Sequence, residues 1–273
     1  TAAVCVGSTP IAFTLRAARR TIRTDRADAG ESLAVELSAS PSADVARIVA
    51  ARAAAFVGAT DDVVTFYARA EGDRAMAPLV RQLHGLHHVR FLTLGEIAVY
   101  SVLMQRAPIS IAASLKRRFF AAFGRPVDVA LGEHVHTLHA LPELADLRAL
   151  TADEIAAAIK HRGKAERIVD VVRGVADLGE DFLRDAPYAE ARDALLAIRG
   201  VGPFSAAAIL LRGLGRMDEL PWLPQFAGAA HELYGKPVSQ DALVARYGTS
   251  IGYWSFYVKT GLPRRAAAAA SAA

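Results

Sequence analysis

The chain has 273 residues and a formal net charge of +4, and it is 53% apolar, 22% charged and 7% aromatic. That composition excludes a disordered chain and allows one large domain or two to three small ones. The single cysteine, Cys5, excludes a disulfide framework, a cysteine-rich zinc site and a cysteine-ligated iron–sulfur cluster. Apolar runs fall far short of the ~20 residues of a membrane span. Arginines follow the weakly apolar residues 1–14 rather than preceding them, which is not the order of a signal peptide. The expectation is a soluble intracellular protein, and a start at Thr1 without Met leaves open a preceding segment. The basic residues are lopsided, 27 Arg to five Lys. A GC-rich genome or an arginine-lined anionic partner would each produce that bias.

In chain order, residues 11–15 and 33–37 have the length and apolar pattern of strands, with a charged turn over 21–32 between them. Asp44 then opens a run with helical apolar spacing (Val45, Ile48, Val49, Ala53, Phe56), which Gly58 stops. This predicts a small α+β domain with an antiparallel sheet over residues 1–72. Beyond it the pattern is helical. Helices are predicted over 61–69, 75–83, 94–104, 109–123, 152–159, 164–178, 188–198, 205–211, 226–233 and 239–247, with prolines between them. They divide into a helical domain over 73–185 and a second, helix-hairpin-helix lobe over 186–273 joined by helices from 73–92, with a cleft between and an alanine-rich frayed tail at the end. The fold class is therefore mainly α with a small α+β N-terminal domain.

Residues 188–226 carry the most chemistry. A helix ends near Ile198, Gly200-Val201-Gly202 follows, and a new helix begins near Phe204. Two glycines flanking one apolar residue allow a tight hairpin. The first N–H groups of the second helix then have no intrahelical acceptor and, with the positive helix end, can hold a phosphate. Ser205 and Ala206 are small enough for close approach. The plainer reading is a helix–turn–helix corner with a glycine cap.

The string LLAIRGVGPFSAA resembles the helix-hairpin-helix motif of the HhH-GPD superfamily of DNA glycosylases, and most of all its bacterial 3-methyladenine DNA glycosylase II (AlkA-like) branch. Residues 91–124 and 159–178 resemble the helices that precede the hairpin in that family, and residues 1–90 match by arrangement only. The resemblance implies a bacterial, cytoplasmic and nucleoid-associated enzyme of base excision repair. It would act as a monomer on double-stranded DNA, away from membranes, and flip an alkylated or otherwise damaged base out of the duplex. It implies that backbone amides around Gly200, Val201, Gly202, Phe204, Ser205 and Ala206 bind DNA phosphates, and that the loop at Gln105 and Arg106 enters the duplex where the base leaves. It implies no cofactor beyond a possible Na or K ion on the main-chain carbonyls of Ile198 and Val201. Phe204 occupies the position where bifunctional members carry a Schiff-base lysine, so no lyase step is expected.

One position departs from the family. Counting from Asp218 and Pro221 places Pro224 where the family has its catalytic aspartate, and Leu223, Gln225 and Phe226 beside it are not acids either. Three readings stay open: another group (Asp218, Glu219, His231 or Glu232) enters the site, the protein is a catalytically inactive relative that binds damaged DNA, or the pocket is rebuilt for a specialised substrate. Trp222, Tyr100, Tyr253 and Trp254, with Phe256, are candidates for the aromatic walls of a base pocket, with core packing as the alternative. His134, His136 and His139 lack the i, i+4 spacing of a helical metal site, and no side-chain metal site is expected. Lys116, Arg117 and Arg118 are either a solvated face or phosphate contacts. Residues 81–90 read as a polar surface connection.

Overall fold

The computed structural model describes residues 1–18, 32–220, 222 and 224–272. Most of the turn expected over 21–32 lies outside them, as do Pro221 and Leu223.

Three strands, β1 (Ala2–Val6), β2 (Thr9–Ala18) and β3 (Ser32–Leu37), form an antiparallel sheet in the order β1-β2-β3. The β1–β2 turn is two residues long, and Gly7 takes the positive φ of +57° that such a turn demands. Helix α1 (Ala43–Phe56) covers the sheet, its first turn capped by Ser42, whose hydroxyl accepts from the Val45 amide at 3.4 Å. Val4, Ile11, Phe13, Val49 and Ala53 make the small core between them.

Four helices and a hairpin lead into the middle lobe: α2 (Val63–Glu71), α3 (Ala77–Gln82), α4 (Leu94–Leu103), α5 (Ile109–Phe123), then strands β4 (Arg125–Leu131) and β5 (His134–Ala140). The β4–β5 hairpin was not expected, and it packs against β1 and β2. Cys5 Sγ donates to the Ala140 carbonyl at 3.5 Å, and Arg125 Nη1 donates to the Ser8 carbonyl at 2.8 Å. Residues 125–140 thus extend the N-terminal layer from within the helical sequence. His134 and His136 lie exposed on β5. Among the described residues, no three or more His, Cys, Asp or Glu side chains are placed to hold a metal.

Six further helices complete the middle lobe: α6 (Leu144–Leu147), α7 (Ala152–Ile159), α8 (Arg162–Leu178), α9 (Glu180–Asp185), α10 (Tyr188–Leu196) and α11 (Pro203–Ala208), the last running into a π-helical turn over Ile209–Gly213. Thr151 and Glu154 form a reciprocal capping box at the start of α7. The apolar stripes of α4, α8, α10 and α11 meet in one core, through Ile97, Val102, Leu103, Ile168, Val172, Leu195, Ala206 and Ile209.

The last lobe is discontinuous. Helices α12 (Pro224–Tyr234), α13 (Gln240–Tyr247) and α14 (Ile251–Ala272) share a core with α2 and α3, built on Phe66, Met76, Leu79, Tyr247, Trp254 and Tyr257. Asp73, 2% exposed, ties the two segments together, accepting from Tyr234 Oη at 2.7 Å, Tyr247 Oη at 2.8 Å and Arg246 Nη1 at 2.7 Å. Burial alone would raise its carboxyl pKa. The donors from Tyr234, Arg246 and Tyr247 outweigh burial and hold it below the ordinary value.

Two differences from the sequence reading follow. The hairpin helices α10 and α11, expected in a lobe over 186–273, contribute Leu195, Ala206 and Ile209 to the core of the middle helices. Helix α14 was missed: its run Tyr253-Trp254-Ser255-Phe256-Tyr257 is aromatic and β-prone, yet tertiary packing makes it helical, and the helix continues through the alanine-rich end expected to fray.

Candidate functional site

Helix α10 ends at Leu196, and the chain turns back through a Val201 amide that donates to the Ile198 carbonyl at 3.0 Å. Gly200 has φ +93°, which only glycine adopts without strain. The turn is pressed onto α8: a Cβ on Gly174 would lie 2.7 Å from Ile198 Cγ2, so a glycine there sets how close the hairpin comes. Val201 points inward at 8% exposure.

Gly202 is the N-cap of α11 with extended backbone (φ −105°, ψ 178°), and Pro203 fills N1, where a missing N–H costs nothing. The Ala206 amide is spent on the Gly202 carbonyl at 3.0 Å, and that of Val201 on Ile198. Donors for a phosphate therefore narrow to the amides of Gly202, Phe204 and Ser205, the last two preceding the first intrahelical bond. Open space lies in front of Gly202.

The loop after α4 is stitched to this hairpin. Gln105 Nε2 donates to the Gly200 carbonyl at 2.8 Å and to Ser205 Oγ at 3.1 Å. Lys164, 5% exposed, donates to the carbonyls of Val102, Leu103 and Gln105 at 3.0, 2.9 and 2.8 Å. These carbonyls lie in the last turn of α4 and the loop after it, where that of Val102 also accepts from the Gln105 amide at 3.1 Å, and the cation complements the negative helix end. Burial, and then the charge of Arg167, lower the Lys164 pKa. Between these anchors Arg106 is exposed with φ +50°, a left-handed backbone costly for a non-glycine residue. Arg106, Arg167, Gly200, Gly202 and Phe204 line one groove. Sequence reasoning singled out Gln105 and Arg106 but missed Lys164. The available signal was a lysine on the apolar stripe of α8, in register with Ile168, Val171 and Val172.

Beside the groove is a cavity of about 490 Å³. Each wall is one helix face: Ile97, Tyr100 and Met104 from α4, Phe204, Ala207, Ala208, Leu211 and Arg212 from α11 and its π-helical turn, and Gly252, Ser255, Phe256, Lys259 and Thr260 from α14. Phe91, His88, Gln225 and Phe226 close it. Met104 and Phe204 border both the groove and the cavity.

Of the five aromatic residues expected in a base pocket, Tyr100 and Phe256 line this cavity. Tyr253 and Trp254 are instead 2% and 0% exposed in the C-terminal core, where Tyr253 Oη donates to Asp61 and Trp254 Nε1 to Tyr234 Oη at 3.1 Å. Trp222 is half-buried against the same core. The helical period explains it: on α14 the cavity face runs through 252, 255, 256 and 259, which turns 253 and 254 away. Phe91, Phe226 and Phe256 supply the aromatic surface.

Pro224 is the exposed first residue of α12, directly ahead of the cavity-lining Gln225 and Phe226. The nearby acids are engaged elsewhere. Arg216 Nε holds Asp218 at 3.3 Å while its Nη1 donates to the Ala186 carbonyl at 2.7 Å, and Arg192 holds Glu219 at 2.9 Å. His231 and Glu232 are exposed farther along α12 and do not line the cavity. Among the described residues, no carboxylate lines it. His88, edge-on to Phe256 at 4.7 Å, has its pKa pushed down to about 4 by burial and by the charge of Arg212.

A glycine hairpin braced by a neighbouring helix-end loop, beside a cavity between two helical lobes, is the layout of the helix-hairpin-helix DNA glycosylase fold. The structure superposes on the 3-methyladenine DNA-glycosylase from Archaeoglobus fulgidus with a TM-score of 0.71, at 18% identity, covering 94% of this chain and 84% of that one. By sequence the chain is similar to the probable bifunctional transcriptional activator/DNA repair enzyme AlkA of Mycobacterium tuberculosis, 30% identical over 171 residues, which are 63% of this chain and 33% of that protein. It is also similar to the DNA-3-methyladenine glycosylase of Bacillus subtilis, 28% identical over 156 residues, 56% of this chain and 50% of that protein. The chain thus spans a third to a half of the length of the curated relatives it matches. No protein-family model matches it. Fold over most of the chain, and sequence over 56% to 63% of it, are thus similar to those of AlkA-type and 3-methyladenine DNA glycosylases. Among the described residues, no helix is long and apolar enough to cross a membrane.

Proposed function

We propose that the chain is a monofunctional DNA glycosylase of base excision repair, which flips a damaged base from duplex DNA into the cavity and breaks its N-glycosidic bond. The observation that carries this reading is the joint placement of three features: free amides at Gly202, Phe204 and Ser205, the exposed left-handed Arg106 braced by Gln105 and Lys164, and the cavity that shares Phe204 with the hairpin groove. The amides would hold the backbone near the target nucleotide, Arg106 would fill the gap left by the base, and Phe91, Tyr100, Phe226 and Phe256 would enclose it. A monovalent cation on the carbonyls of Ile198 and Val201 belongs to the same proposal. So do a monomeric state and a place in the bacterial cytoplasm with the nucleoid.

A lyase step is not part of it. Phe204 stands at the position of the Schiff-base lysine and is 49% exposed, while the buried Lys164 amine is occupied by three carbonyls. Pro224 and the engaged acids support a second reading, a catalytically inactive relative that binds damaged DNA. Duplex oligonucleotides bearing a damaged base, incubated with the protein and heated in alkali, separate the two. The glycosylase reading expects a strand break that requires alkali. No break above background, with binding retained, leaves the binding protein.

A further inference from the structure

The charge lining the cavity has one sign. Arg212 and Lys259 are in its wall, and among the described residues neither makes an ion pair and no carboxylate faces them. Arg212 Nε is buried without a hydrogen-bond partner. Two of the aromatic faces, those of Phe91 and Tyr100, are also in use. The Arg212 guanidinium sits 5.2 Å from the Phe91 ring centre, and Lys116 Nζ lies 5.2 Å from Phe91 and 5.5 Å from Tyr100. Lys116 is neutralised by Glu96 at 2.6 Å, but Arg212 is not neutralised in this way. A cationic base entering here would meet two uncompensated positive charges, Arg212 partly buried in the wall and Lys259 at the rim, and would find the Phe91 and Tyr100 faces already turned to the protein's own cations. A base with carbonyl oxygens would meet donors instead, from Arg212, Lys259 and the amide of Gln225.

We propose that this pocket takes a neutral, carbonyl-bearing base and rejects a cationic one, with Arg212 and Lys259 carrying the negative charge that the departing base gains. The proposal rests on the glycosylase reading. In the step, the C1′–N bond breaks and its electron pair goes to the base, a water oxygen bonds to C1′, and the proton lost by that water ends on the base. Charge stabilised on the leaving group takes over the task that a carboxylate at position 224 would perform beside the sugar.

The test uses three duplexes: non-cleavable 2′-fluoro duplexes carrying hypoxanthine or N7-methylguanine, and one carrying a tetrahydrofuran abasic analogue. The hypoxanthine duplex is expected to bind at least about tenfold more tightly than the N7-methylguanine duplex. Lys259 is exposed at the cavity rim, so Lys259→Met should fold normally and bring the ratio toward one, while Lys259→Arg should preserve it. A ratio of one or below in the unsubstituted protein, with abasic binding intact, overturns the proposal and leaves the glycosylase reading standing. An unchanged ratio in Lys259→Met overturns the role of that residue. Failure to bind any of the three duplexes overturns the glycosylase reading itself.

Discussion

Arg106 and Gly202 pose opposite problems for the backbone. Arg106 keeps a left-handed conformation in which a side chain is a liability, between a glutamine and a lysine that fix the loop on either side. Such strain persists where the surroundings overdetermine it, and it turns the guanidinium outward into solvent. Arg106→Gly should therefore leave thermal stability unchanged or raise it by up to about 1 kcal/mol. The same change should weaken duplex binding or excision by about tenfold or more, so binding titrations would show a loss that melting curves do not. Gly202 has extended backbone and open space ahead of it. A Gly202→Val protein should fold with a loss below about 1 kcal/mol. Its methyl groups would stand where a phosphate must approach the Phe204 and Ser205 amides, so affinity for duplex should collapse. Unchanged affinity would remove the hairpin from the DNA interface.

At the level of elements, the end of α4 is held by α8 through a single buried amine. Lys164 donates to three carbonyls at once, and an uncharged isostere would remove a donor from each of them. Lys164→Met should cost about 3 kcal/mol in unfolding free energy. At temperatures where the protein still folds, hydrogen exchange should quicken at Met104–Ala107 before the middle of α8, because the loop loses its anchor while the helix keeps its apolar face. Equal exchange in both segments would show that Lys164 supports the lobe in general rather than the loop. The β4–β5 hairpin shows the same dependence on neighbours. Its alternating His134-Val135-His136 run has little apolar surface of its own, and the two-stranded β4–β5 sheet is supported by packing on β1 and β2.

The whole molecule is organised by burial of groups that titrate. His88 is 7% exposed, and its native pKa of about 4 lies below the ordinary value of 6.5. The unfolded chain therefore binds a proton first as pH falls. Stability from a neutral His88 is complete above pH 6.5 and is lost as pH drops toward 4, by up to about 3 kcal/mol. A His88→Gln protein should show a flatter stability profile between pH 7 and pH 4 in denaturant titrations. Asp73 acts lower on the scale: its carboxyl is held below the ordinary value, so its contribution is present above that value and disappears as pH falls through the lowered native one. With a formal charge of only +4, the duplex binding of the proposed function would rest on localised amides and a few arginines. Affinity should still fall steeply between 50 and 200 mM salt, with a log–log slope of about −0.9 for each phosphate neutralised. A flat salt response would argue against a phosphate-led interface.

Much of this molecule was legible in its residues. Proline and glycine punctuation with helical periodicity marked most helices, because those signals act over one or two turns of chain. The Gly200-Val201-Gly202 hairpin, the Gln105–Arg106 loop and the non-acidic Pro224 were visible for the same local reason. Tertiary packing decided what no local pattern encodes. It made α14 helical and turned Tyr253 and Trp254 inward while Phe256 and Lys259 face the cavity. It tied α2 as well as α3 to the last three helices through Asp73, and it laid the two-stranded β4–β5 sheet against the first sheet. It also drew Asp218 and Glu219 into ion pairs with Arg216 and Arg192, leaving the cavity wall with cations and no described acid. Which face of a helix meets which neighbour, and whether a charge such as Glu219 finds a distant partner such as Arg192, are set by contacts between residues far apart in the chain.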